Sequence, residues 1–236
     1  MCSSEEASVK RTYVGSAGSP MRSDTLVVVA AHGKEQVQDF LSAAGDAHPI
    51  LVVRTDGDEN GLPGNTEVTG KIITQTCPFR GFDTGAYLWA YWHYYAKKYL
   101  FLHDSLIPHG PDYADAFFSK MPPFGAVAWM GFPFPMWDSR NQELAARYTV
   151  GDASPPRGIF GPIFAATRES LDRLRDRQLL PPFPTHKEAA QGKEREWAIA
   201  FEEAAIPIHH LVEWFDPSGA AAGKLPCFTK VFAHRT

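Results

Sequence analysis

The chain has 236 residues, 44% of them hydrophobic and 13% aromatic, with a formal net charge of -4, which is enough material for one substantial core. An acidic balance without a long basic block argues against nucleic acid as the main partner, because phosphate binding needs clustered Lys and Arg. No run reaches the roughly 18–20 apolar residues that span a bilayer, and residues 1–22 are too polar for a signal-peptide core, so no membrane span is expected. Cys2, Cys77 and Cys227 show no paired spacing, and the implied setting is reducing and cytoplasmic. Residues 1–22 read as a loose tail and 23–236 as one domain.

After the tail, "TLVVVAAH" (25–32) is a β-branched run. "EQVQDFLSAA" (35–44) follows with Val37, Phe40 and Leu41 on one helical face. "HPILVVRTDG" (48–57) repeats the strand signal, "DENGLPGNT" (58–66) is a loop by its Gly, Pro and Asn, and "KIITQTCP" (71–78) is a third strand. Residues 84–98 fit a helix, since Leu88, Trp92, Tyr95 and Tyr99 form one apolar stripe, and "YLFLH" (99–103) is a buried strand. Further on, "YADAFFSKM" reads as a helix and "GAVAWMGFP" (125–133) as a strand. "GIFGPIFAAT" (158–167) leads into the helix "RESLDRLRDR". "HKEAAQGKEREWAIAFEEAA" (186–205) is another helix, and "FTKVFAH" (228–234) a last strand. This alternation predicts an α/β fold, Rossmann-like, with a mostly parallel central sheet flanked by helices.

In such sheets ligands collect where strands end and helices begin. Four polar groups fall at such places: His32; Arg54-Thr55-Asp56; Gly81-Phe82-Asp83-Thr84-Gly85; and His103-Asp104-Ser105. That pattern suggests a single pocket. Asp83 has two compatible readings, as the N-cap of a helix starting at Thr84 and as a carboxylate that accepts hydroxyl protons from a polyhydroxylated ligand beside small residues. Asp104 follows four residues that read as buried, Tyr99 to Leu102, and a carboxylate there needs a partner. A cation is the natural one: Mg2+ or Mn2+, which take oxygen ligands from few protein groups and from phosphates. His103 or Ser105 can assist.

His209 and His210 are adjacent and in a strand point to opposite faces, so at most one enters a given site. A solvated histidine competes with the reading of His209 as a metal ligand. Glu194 and Glu196 read either as a solvated face paired with Lys193 and Arg195 or as a general base for an acceptor hydroxyl. The six tryptophans, Trp89, Trp92, Trp129, Trp137, Trp197 and Trp214, are mainly core candidates. One or two at a pocket rim would stack on sugar or base.

The succession "RGFDTGAYLWAY", "YLFLHDSLIP", "GIFGPIFAATRESL" and "EREWAIAFEEAAIP" resembles the rhamnan-synthesis-F-like group of A-type glycosyltransferases, which use nucleotide-sugar donors. The similarity in order and spacing runs over about residues 70–210. It implies transfer of a sugar from a nucleoside diphosphate to a glycan or other hydroxyl acceptor. It implies that Asp104 stands where that fold keeps its Asp-x-Asp-like motif and meets the donor diphosphate through a metal. Asp83 and Gly81 would lie at donor ribose or sugar, Arg54, Thr55 and Asp56 at base and ribose, Gly161 and Pro162 at the acceptor cleft, and Glu194 or Glu196 on its far side. "HDS" carries one carboxylate where an Asp-x-Asp pair has two. Without a metal, helix N-termini or Arg80 would face the diphosphate instead.

Two other functions compete. A non-catalytic module that binds carbohydrate or nucleotide sugar on the same scaffold accommodates the single acid. Ser105 as a nucleophile with a histidine base is disfavoured, because its surroundings lack the Gly-x-Ser-x-Gly elbow that exposes such a serine.

Overall fold

The computed structural model describes residues 22–32, 34–55, 66–77, 81–132, 158–184, 187–212 and 227–230. Val27, Val28 and Val29 in the middle of β1 (Arg22–Ala31) are all fully buried, so both faces of that strand are covered, as in a parallel sheet wrapped by helices. β1 lies between β2 (Ile50–Arg54) and β5 (Tyr95–His103), parallel to both, with Val29 opposite Val52 and Leu102. Beyond β2 come β4 (Ile72–Thr76), parallel, and β3 (Thr66–Thr69), antiparallel at the edge. On the other flank β9 (Phe164–Thr167) runs antiparallel between β5 and β7 (Ala126–Phe132), and β10 (Ile208–Val212) is parallel to β7. The sheet order is β10-β7-β9-β5-β1-β2-β4-β3, with β8 (Gly158–Ile159) paired to β7.

Alternation of side chains sorts the core into two layers. Leu26, Val28 and Ala30 share one layer with Tyr99, Phe101 and Phe164. Residues of α2 (Phe82–His93), α4 (Arg168–Asp176) and α5 (Lys187–Glu203) complete that layer. Val27, Val29 and Ala31 face the other layer, with Val37 and Phe40 of α1 (Lys34–Ala44) and Phe117 of α3 (Asp115–Phe118). A second small sheet, β6 (Leu106–Pro108) antiparallel to β11 (Phe228–Lys230), closes that side through buried Phe228. Among the described residues no helix is long and apolar enough to cross a membrane.

The chain leaves β1 toward β2 and β4 on one side, then returns through α2 to β5 on the other. The strand order therefore reverses between β1 and β5, and the ends of these two strands border the crevice that such a reversal opens.

Several expectations shift. The helix read over 84–98 ends at His93, and β5 begins at Tyr95. Tyr94 is extended, at φ -126 and ψ 130, and Tyr95, Ala96 and Lys97 then alternate exposed, buried and exposed. Trp92, placed on the buried stripe, is 45% exposed and packs on Phe183. Leu88 is buried as expected, and it shares the buried face with Tyr87 and Tyr91. "GIFGPIFAAT" forms two short strands before the helix. β3 falls at the end of an expected loop, β6 adds a strand where none was read, and β10 is the strand that holds His209 and His210. Arg22 already belongs to β1. Residues 1–21, Trp137, Trp214 and the expected strand beyond residue 230 lie outside the described residues.

Candidate functional site at the strand-order reversal

His32, directly after β1, gathers the polar ends of three neighbouring elements. Its backbone N–H donates to Asp104 Oδ2 at 2.6 Å, a contact between residues 72 apart in sequence. Its ring Nε2 lies 3.0 Å from Asp83 Oδ1 and its Nδ1 3.2 Å from Thr55 Oγ1. With the proton on Nε2, the imidazole donates to Asp83 and accepts the Thr55 hydroxyl, which makes one chain from Thr55 through His32 to Asp83. Asp104 and Thr55 are buried, whereas the His32 side chain is 43% exposed and forms the outer wall of the cluster.

Each member is held by its backbone. Asp104 N–H donates to Ala30 O at 2.9 Å, so the turn after β5 stays clamped to β1. Thr55 N–H donates to Ala31 O at 3.3 Å, and Cys77 N–H to Arg54 O at 2.7 Å. Asp83 is not the N-cap: α2 starts at Phe82, two residues earlier than expected, with Gly81 at the cap position and no side-chain cap. Asp83 thus sits in the first helical turn, where its charge also complements the helix dipole, and its carboxylate turns to His32. Phe82 has φ +49, in the left-handed region that disfavours side chains. Such strain costs about 1–3 kcal/mol and is typical of functional sites. The Phe82 ring lies 6.3 Å from the His32 ring.

His103 is buried, and Ser105 Oγ lies 2.7 Å from its Nδ1, a local contact across the turn. Gly161 and Pro162 are buried in the connection between β8 and β9. The pairing of β9 with β5 ends at Phe164 opposite Phe101, three residues before Asp104, and Gly161 and Pro162 lie in the turn just ahead of Phe164. α5 reaches the same end of the sheet through Trp197, whose Nε1 donates to Thr84 Oγ1 at 3.1 Å.

Other candidates are not brought to this cluster. Glu196 Oε2 accepts from Lys193 Nζ at 2.5 Å and lines a cleft of about 170 Å³ with Glu203 and residues 178–182. Lys193 and Arg195 are buried, so this helix is not the solvated charged face of the alternative reading. Glu194 is half-buried on the same helix. His209 is exposed on β10, which β7 and β9 separate from β5. At about 4.8 Å per strand that is roughly 14 Å across the sheet. The register sets His209 level with Leu100, four residues short of Asp104. Asp104 and His209 therefore do not form one metal site. Arg54 ends β2, half-buried, beside Thr55. Asp56 and Arg80 lie outside the described residues.

Among the described residues no group of three or more His, Cys, Asp and Glu is placed to hold a metal ion. A nucleotide-bound Mg2+ or Mn2+ uses only one or two protein carboxylates, and Asp104 with Asp83 matches that donor set.

Cys77, at the end of β4, is fully enclosed, and burial pushes its thiol pKa from 9.0 up to about 12. Thiolate at pH 8 is then about a thousandfold scarcer than for an exposed cysteine. Iodoacetamide at pH 8 is expected to leave Cys77 unlabelled in the native chain and to label it in urea, read by peptide mass. Because the thiol stays neutral when folded but ionises when unfolded, its contribution to stability is intact below pH 9 and is lost as the pH climbs from 9 toward 12;.

No family model matches the chain, and no curated protein matches it. Among solved structures it is similar to the mannosyltransferase of Pyrobaculum calidifontis, solved with GDP-mannose and Mn2+, at 15% identity and a TM-score of 0.47. That likeness covers 90% of this chain but 63% of the mannosyltransferase, so the chain spans less than two thirds of its length. It is also similar to the glucosyl-3-phosphoglycerate synthase of Mycobacterium tuberculosis, solved with Mn2+, UDP-glucose and phosphoglyceric acid. There the identity is 16%, the TM-score 0.45, and the coverage 84% of this chain and 74% of the other. A CMP:2-keto-3-deoxy-manno-octonic acid synthetase solved with CTP gives 14% identity and a TM-score of 0.43, covering 83% and 91%. Likenesses of this degree assign no activity to the chain.

Proposed function

We propose that the chain transfers a glycosyl group from a nucleoside-diphosphate sugar to a hydroxyl acceptor. The observation that carries this reading is the meeting of Asp83 and Asp104 on His32 at the reversal of strand order. That is where open α/β sheets bind nucleotides. A left-handed Phe82 and a buried carboxylate at the same place support a built site over a chance cluster;.

On this reading the base and ribose lie over the ends of β1 and β2, near Arg54 and Thr55, and the diphosphate faces Asp104 and the first turns of α1 and α2. A divalent cation, when bound, neutralises charge on the diphosphate as it leaves. Asp104 and Asp83 are the residues that would hold it. The backbone dipoles of the two helix starts present positive ends toward the same leaving group. Asp83 accepts hydroxyl protons of the sugar and fixes its orientation. Gly161 and Pro162 border the acceptor, and Glu194 or Glu196 is the candidate base for its hydroxyl.

Incubation with UDP-glucose, GDP-mannose and dTDP-glucose, with and without Mn2+, tests the reading. Release of nucleoside diphosphate supports a transferase. Binding without release supports the non-catalytic module, and no binding removes both.

A further inference from the structure

Among the described residues the Tyr87 hydroxyl is fully enclosed and has no hydrogen-bond partner. A buried tyrosine ordinarily finds one, and a phenylalanine would fill the same space without leaving an unmade bond. Packing alone therefore does not account for the oxygen. Tyr87 lies one helical turn after Asp83 on α2, so the two share a face. Long helical side chains lean back toward the N-terminus, which aims the phenol under the turn that carries Asp83. Its ring is fixed by Phe101 at 4.8 Å and by Phe164, edge-on, at 6.2 Å. Phe101 itself stands three residues before Asp104 on β5. The ring thus sits between the turn of α2 that carries Asp83 and the strand that leads to Asp104. Burial first, then the charges of Asp83 and Asp104, keep it protonated.

Asp83 is engaged by the exposed His32 ring. We propose that Tyr87 is a positioning residue: when a ligand hydroxyl displaces His32, the Tyr87 O–H takes up one oxygen of Asp83 and holds the other toward the ligand. A carboxylate has acceptor sites for both bonds. The inference rests on the reading that this cluster binds a nucleotide sugar.

Tyr87→Phe in the full chain tests it, with UDP-glucose, GDP-mannose and dTDP-glucose, each with Mn2+, as probes. The expected result is an unchanged or higher melting temperature without ligand, and a loss of roughly 10- to 100-fold in affinity for the probe that wild type binds, the worth of one hydrogen bond to a charged group. In an Asp83→Asn background the same substitution should cost almost nothing further, as coupled residues do. Equal affinity of Tyr87→Phe and wild type overturns the role of Tyr87 and leaves the binding reading standing. A melting temperature lowered by several degrees with affinity intact overturns it too, because the hydroxyl then serves stability and not the ligand. If wild type binds none of the probes, the binding reading and this inference fall together.

Discussion

Asp104→Asn is expected to lower glycosyl transfer by roughly a hundredfold or more, the usual effect of deleting one group that stabilises developing charge, while the chain stays folded. The carboxamide keeps an oxygen that can accept the His32 N–H now bonded at 2.6 Å, so the loss of stability should stay within about 1–2 kcal/mol. What disappears is the negative charge that would meet a cation on the diphosphate. Leu102→Ala, two residues back in β5 and fully buried, should show the opposite profile. Emptying that volume costs about 2–5 kcal/mol and leaves the activity of whatever remains folded near normal. Ser105→Ala separates the remaining reading, since it breaks the contact with His103 but spares both carboxylates. Transfer that survives Asp104→Asn and fails in Ser105→Ala would move the chemistry to the serine.

The second large effect concerns what holds the site's helix in place. Trp197 is 1% exposed, packs on Phe164 at 4.9 Å and Phe201 at 6.0 Å, and donates to the buried Thr84 hydroxyl. Trp197→Ala leaves a cavity and an unmet oxygen beside Asp83. It is expected to cost about 3–5 kcal/mol, a drop of roughly 6–20 °C in melting temperature for a domain of this size. Trp197→Phe, which keeps most of the packing and removes the hydrogen bond, should lose about 1 kcal/mol. A calorimetric scan of both variants checks the order. An alanine variant no less stable than the phenylalanine one would mean that α5 does not brace the start of α2.

Much of the architecture was legible because burial on both faces leaves a plain mark in sequence. The runs "TLVVVAA", "ILVV" and "YLFL" have no polar alternation, and each is a central parallel strand. The acid that ends the third run was readable for the same reason, since a carboxylate at the mouth of such a strand needs a partner. The identity of that partner was not. It is a backbone N–H 72 residues away, supplied by a strand pairing that no local pattern encodes.

Periodicity misled at α2 because the aromatic residues run on into β5 without a break. Counting past Tyr94 put Trp92 on the inner face and passed over Tyr87, whose burial follows once the helix is ended at His93. β9 was hidden by its shortness. Four residues, "FAAT", give too few alternations to distinguish a strand from the approach to a helix, yet that strand is inserted antiparallel beside β5, with the turn of Gly161 and Pro162 just ahead of it. The separation of His209 from Asp104 could only come from strand order.

A crystal structure of the chain with a nucleotide sugar and Mn2+ tests the central claim most directly. The account predicts the diphosphate at the ends of β1 and β5, with Asp104 and Asp83 both turned to the ligand and His32 displaced from Asp83. A nucleotide sugar bound elsewhere, such as the cleft between Glu196 and residues 178–182, with the contacts among His32, Asp83 and Asp104 unchanged, would contradict it.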